Sequence, residues 1–153
     1  MPMIACAFMG GALLLLRRAA KPLVSARNPE QAWTRGRDLV TAICAPLPGA
    51  AVSDPWGGGH DCWKVGGKMF ANVGGYGDGV DVKCPDVDTA RLLIDLGGAT
   101  RAPYMHASWV RVPFGAALTE ADLRHRIVIS YQLVRGGLTK KLQTSLGDLP
   151  QSP

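Results

Sequence analysis

The stretch "CWKVGGKMFANV", residues 62–73, decides how the middle of this chain folds. Two runs rich in Val, Trp and Phe flank Gly66–Gly67. A glycine pair supplies the positive φ angles that a two-residue hairpin turn requires. The expectation is a pair of antiparallel strands with Lys64 and Lys68 near the tip, Trp63 facing Phe70, and Cys62 packed beside Ala71. "VGGK" is not a phosphate loop, because a Walker A sequence needs GxxxxGK[ST] and Met69 follows this lysine.

Outward from the hairpin, strands are expected at roughly 60–65, 68–74 and 79–84, bounded by glycine turns. "AVSDPWGGGHD" (51–61) reads as a loop and "GGYGDG" (74–79) as a connection. Both lead into strands, whereas glycine loops that hold phosphate lead into a helix N-terminus. Upstream, Asn28 is an N-cap, Pro29 suits the first helical position, and Pro46 and Pro48 end the helix. Downstream, a helix is expected from Asp86 to Leu96, with Val87, Ala90, Leu93, Ile94 and Gly97 on its buried side. A short extended pair follows near 100–104 and 107–112. "TEAD" (119–122) is a capping arrangement, after which Leu123, Ile127, Tyr131 and Val134 form an apolar stripe. Gly136–Gly137 end that helix and "LTKKL" reads as a short basic turn. Adjacent strands with helices before, between and after them imply an α+β fold, an antiparallel sheet flanked by helices in two layers.

The chain has 153 residues, 47% apolar and 19% charged, which is one globular domain. Its net charge of +5 is unevenly placed. Arg17, Arg18, Lys21 and Arg27 give residues 1–27 a charge of +4 with no acid, and the remaining bases barely exceed the 12 acids. A near-neutral domain removes the simplest electrostatic case for a nucleic-acid partner. Within it, Asp54–Asp95 is acidic, while Arg101–Lys141 is basic and reads first as a solvated helix face.

The uncharged run Ile4–Leu16 is too short to cross a bilayer, which takes about 20 residues. No base precedes it, so it is also an odd signal peptide. Residues 1–27 are therefore read as an extension outside the domain, an atypical export signal, or a packed helix, in that order. Residues 28–147 form the domain and 148–153 a tail. Cys6, Cys44, Cys62 and Cys84 lack CxxC pairing or framework spacing, which fits reduced thiols in a cytoplasmic protein.

No catalytic set is evident. Cys62 with His60 two residues away lacks an orienting group, and packing explains the cysteine better. His60, Cys62, Cys84 and His106 have no zinc-site spacing, and no cofactor is implied. His125 lies off the apolar stripe, at an exposed position. Trp109 beside Arg111 is the aromatic best placed to stack on a base. Trp33 and Trp63 read as core, Trp56 as a loop plug or a surface contact.

"LPGA", "PWGGGHDCWKVGGKMFA", "VKCPD", "APYMHASWVRV" and "LRHRIVISYQLVRGGLTKKL" together resemble the MmcQ/YjbR family over about residues 33–147. The resemblance implies a CyaY (frataxin)-like fold and a non-enzymatic, DNA-binding role through a double-wing surface. Carried onto this chain, the implied contacts are Lys64, Lys68, Trp109, Arg111, Arg135, Lys140 and Lys141. Family members often carry bases just ahead of the motif tryptophan, where this chain has Ala107 and Ser108. Iron binding is not carried over, because residues 28–53 hold only Glu30 and Asp38 as hard oxygen ligands. The alternative to DNA is a small protein- or ligand-binding module using the sheet face or the Trp56 loop.

Overall fold

A computed structural model describes residues 28–115 and 118–149. The expectations for residues 1–27 lie outside the described residues. Helix α1 runs Pro29–Cys44 and is followed by strands β1 (Ala51–Ser53), β2 (Asp61–Val65), β3 (Lys68–Val73) and β4 (Gly79–Lys83). Helix α2 (Val87–Asp95), strands β5 (Thr100–Arg101) and β6 (Trp109–Pro113), and helices α3 (Glu120–Gly136) and α4 (Lys140–Ser145) complete the order. The strands form one antiparallel sheet in the order β1-β2-β3-β4-β6-β5. The expected α+β fold is the fold observed.

Helix starts follow the capping chemistry. Asn28 accepts from the Glu30 N–H, Asp86 from Thr89, and Thr119 from Asp122, whose carboxylate in turn accepts from the Thr119 hydroxyl. Each cap satisfies an N–H that the helix itself leaves orphaned. The stripe Leu123, Ile127, Tyr131 and Val134 is buried against β3 and β4, with α1 alongside. On the sheet, Val65, Val73, Val80, Val82, Val110 and Val112 complete this core. Each such side chain contributes roughly 1.5–3 kcal/mol by leaving water.

Three local readings differ from expectation. Ala51–Ser53, expected as loop, is an edge strand with all three residues exposed, too short to show a pattern. "LTKKL" opens a helix, α4, capped by Thr139, rather than a turn. The hairpin register is also shifted. Trp63 lies opposite Ala71, Lys64 opposite Met69, and Cys62 opposite Asn72, so Phe70 is an extra residue in β3. This bulge turns both Phe70 and Ala71 toward the helices, and Phe70 meets Tyr131 edge-on at 5.3 Å between ring centroids. Beyond it, Ser130 bridges where the β3–β4 ladder stops. Its hydroxyl donates to the Phe70 carbonyl and accepts from the Lys83 N–H at 2.8 Å. Gly66 and Gly67 have φ of 56° and 80°, as the two-residue turn requires. A side chain at Gly66 would meet Leu138 at 2.6 Å, so the hairpin tip is packed on the segment between α3 and α4.

Candidate binding cleft on the open sheet face

Alternation along the strands sends Val, Phe and Ala to the helices and leaves the opposite face for polar side chains. Asn72, Asp81 and Arg111 are neighbours in register across β3, β4 and β6 on that face. Arg111 donates from Nε to Asp81 at 2.8 Å and from an Nη to its second oxygen at 3.1 Å. This two-pronged geometry is the strong form of the pair. Asp78 adds a second carboxylate 3.9 Å from the guanidinium. The hydrogen bond it donates to Asp81, outweighing the cost of burial, holds the Arg111 guanidinium more firmly charged than usual. Asn72 donates its Nδ2 to Asp81 at 3.3 Å, which fixes its amide orientation and leaves Oδ1 buried with no partner.

Over this row lies a cleft of about 890 Å³. Its walls are three loops rather than the strands themselves. In the first, the Asp54 carboxylate accepts from the N–H groups of Gly57, Gly58 and Gly59. Desolvation pushes the Asp54 carboxyl up, but the bonds from Gly59, Gly57, Gly58 and His60 together outweigh it and hold the group below its ordinary value. The loop presents Trp56, which packs edge-on against His60. The second loop, 74–78, presses directly on the first. A side chain at Gly75 would sit 2.5 Å from the Gly58 carbonyl, so only glycine permits the contact. Arg37 of α1 ties both together, donating to the carbonyls of Gly59 and Gly74 and pairing with Asp61 at 2.8 Å. The third loop carries Pro103, Tyr104 and Met105. Trp56, Tyr76 and Tyr104 rim the cleft at 60%, 89% and 106% exposure.

The residues carried over from sequence are divided by this geometry. Lys64, Trp109 and Arg111 share the open face, because Trp63, Val65, Val110 and Val112 between them face the core. Only Arg111 lines the cleft, and its charge is matched by Asp81 and Asp78. Lys68 is exposed at the hairpin tip, and Lys140 and Lys141 are exposed on α4. Arg135 is a correction. It is 5% exposed, and its guanidinium donates to the carbonyls of Gln143, Gly147 and Asp148 and to the Tyr131 hydroxyl. It closes the end of α4, and a buried guanidinium so engaged has no reach to a phosphate. Cys62 is buried, and burial pushes its thiol up against a smaller downward pull from Lys64, so the thiolate nucleophile is disfavoured.

The YjbR family's sequence profile matches residues 45–133, more than half of the chain. The chain is a YjbR-family protein. The matched span runs from the turn after α1 into α3, and so contains the whole sheet and all three cleft loops. The YjbR domain is also similar to a solved structure, protein DR2400 of Deinococcus radiodurans, described with the family domain DUF419. The two share 23% identity over 76% of this chain and 91% of that one, with a TM-score of 0.67, which is a likeness of fold. No curated protein matches the chain. Among the described residues, no helix is long and apolar enough to cross a membrane.

Sequence reading found Arg111 and missed the rest of the floor and most of the rim. Asn72, Asp81, Tyr76 and Tyr104 carry the cleft, and none stood out on composition or motif. One signal was available: "VDV" (80–82) and "VRV" (110–112) each place one charge between two valines. In paired strands that pattern puts an acid and a base on the face away from the core.

Proposed function

We propose that this YjbR-family domain is a non-enzymatic, DNA-binding protein that works through the open face of its sheet. The observation carrying the reading is the coincidence on one face of exposed Trp56, Tyr76 and Tyr104 with Lys64, Lys83 and Trp109. Aromatic platforms beside a modest basic rim are how single-stranded nucleic acid is held, bases on rings and phosphates on lysines. The binding surface thus shifts from the basic hairpin tip and C-terminal region toward the aromatic cleft, with Lys64 and Lys68 as flanking phosphate contacts. Lys140 and Lys141 lie on α4, in the helical layer's segment, and contribute only where a strand wraps past the hairpin tip. The domain acts in the cytoplasm.

The test is a salt titration of binding to short single- and double-stranded DNA. It uses the full chain with Arg17, Arg18, Lys21 and Arg27 changed to glutamine, which removes the charge of residues 1–27. Affinity must fall as salt rises, and Lys64→Glu or Lys68→Glu must each lower the slope by about one phosphate contact. Absence of binding at low salt overturns the reading. A second reading, a small-ligand module, is favoured by the neutralisation of Arg111 within the cleft. It requires binding that salt leaves unchanged.

A further inference from the structure

We infer that the cleft recognises a single amino-substituted heteroaromatic ring, of the adenine or cytosine kind, held between Trp56 and Tyr104 with Tyr76 beside them and read by acceptors on the floor. The inference deepens the nucleic-acid reading and rests on it only for the source of the ring. A cleft of about 890 Å³ lies within the range of small-molecule sites. Large aromatic surfaces left to water around one concavity mark a binding site rather than packing. Tyr104 adds to this, with φ of 63°, the positive-φ conformation that among the described residues it alone adopts without being glycine. Such backbone is strained for a bulky residue and collects at ligand sites.

The hydrogen-bonding balance selects the ligand's chemistry. Arg111 spends Nε and one Nη on Asp81, and its other Nη faces Asp78, so the cleft's cation is engaged by carboxylates. The groups left over beside Arg111 are acceptors, the half-exposed Asp78 carboxylate and Oδ1 of Asn72, unpartnered in a residue only 6% exposed, while donors (the Tyr76 and Tyr104 hydroxyls and the Trp56 indole N–H) stand at the rim with the His60 ring. A buried acceptor without a donor is a standing cost that a ligand N–H relieves. Met69 and Met105 line the same space, and methionine re-packs easily to admit a ring to the floor. Carboxylates and the Asn72 oxygen around Arg111 disfavour an anion at the floor, so the ring enters and any attached phosphate stays outside, toward Lys64.

The ¹⁵N-labelled full chain is titrated with adenosine, with purine riboside (the same ring system without the amino group), with adenosine monophosphate and with a short single-stranded oligodeoxyadenylate. Adenosine is expected to shift the amides of 54–60, 74–78 and 103–105 and to bind several-fold tighter than purine riboside, and any gain from the phosphate of adenosine monophosphate is expected to vanish as salt rises. Trp56→Ala and Tyr104→Ala, both at exposed positions, each weaken it about tenfold while α3 resonances stay unchanged. Equal binding of purine riboside, or full binding by the Trp56→Ala/Tyr104→Ala double variant, overturns the inference. Salt-dependent oligonucleotide binding without any adenosine shifts overturns it too, yet leaves the nucleic-acid reading standing. Adenosine binding without oligonucleotide binding upholds the site and removes DNA as the source of the ring.

Discussion

Replacing Arg111 with methionine probes whether the polar row on the open face is a true buried ion pair. Methionine keeps much of the aliphatic stem, which crosses beside Gly79, and removes the guanidinium. Asp81, with its side chain 3% exposed, is then left with only the Asn72 amide as a side-chain donor. Breaking a buried pair from one side costs about 3–5 kcal/mol, because an uncompensated charge remains. The Arg111 side chain is 23% exposed, so water partly screens the pair and the lower end applies. The expected loss is about 3 kcal/mol, or about 10 °C in Tm for a domain of this size. Urea unfolding followed by circular dichroism measures it. Adding Asp81→Asn to Arg111→Met removes the stranded charge, so the double variant is expected to recover at least about 1 kcal/mol. A loss below about 1 kcal/mol for Arg111→Met, or a double variant that is simply additive, refutes the reasoning.

Three further outcomes follow from particular contacts. Gly75→Ala places a methyl group 2.5 Å from the Gly58 carbonyl and forces the two glycine loops apart. It is expected to cost about 1–3 kcal/mol and to shift Trp56 fluorescence. Arg135→Met strands the carbonyls of Gln143, Gly147 and Asp148, and hydrogen exchange is expected to show residues 140–148 losing protection while the sheet keeps it. The Asp54 carboxyl lies below its ordinary value of 3.8, so its stabilising bonds are fully present above that value and are lost as pH falls through the lowered one. The amides of Gly57, Gly58 and Gly59 are therefore expected to keep their hydrogen-exchange protection from pH 7 to 5 and to lose it only under strongly acid conditions, whereas Asp54→Ala loses it already at pH 7.

The fold was legible where local chemistry is strong. Asn28 and Thr119 announce helices because few other positions favour a side chain that caps backbone N–H groups. Gly66–Gly67 announces the hairpin because few pairs tolerate two positive φ angles. Register was not legible, since the Phe70 bulge is set by a partner 60 residues away, Ser130, whose hydroxyl holds the Phe70 carbonyl. Arg135 misled for a related reason. A base in a basic segment reads as surface, and its burial depends on the α4 carbonyls, which become acceptors only once that helix folds back. Of the cleft floor only Arg111 stood out, as a base beside Trp109, while Asn72 and Asp81 stayed hidden because they are ordinary in kind until the strands pair them with it.

The glycine loops bear on function through rigidity more than through chemistry. Loops that hold aromatic residues in water lose affinity if they must be ordered when a ligand arrives. Here Asp54 fastens one loop from inside, Gly75 lets the second lie against it, and Arg37 ties both to α1 from behind. Trp56 therefore stands on a wall already fixed to the helical layer, and the Arg37–Asp61 pair joins that wall to the start of β2. The hairpin strand that begins at Asp61 carries Lys64 on the same face, so the aromatic rim and the flanking lysine are positioned by one continuous piece of chain. A face preorganised in this way is suited to selecting a ring by shape and hydrogen bonding, with charge acting at its edge.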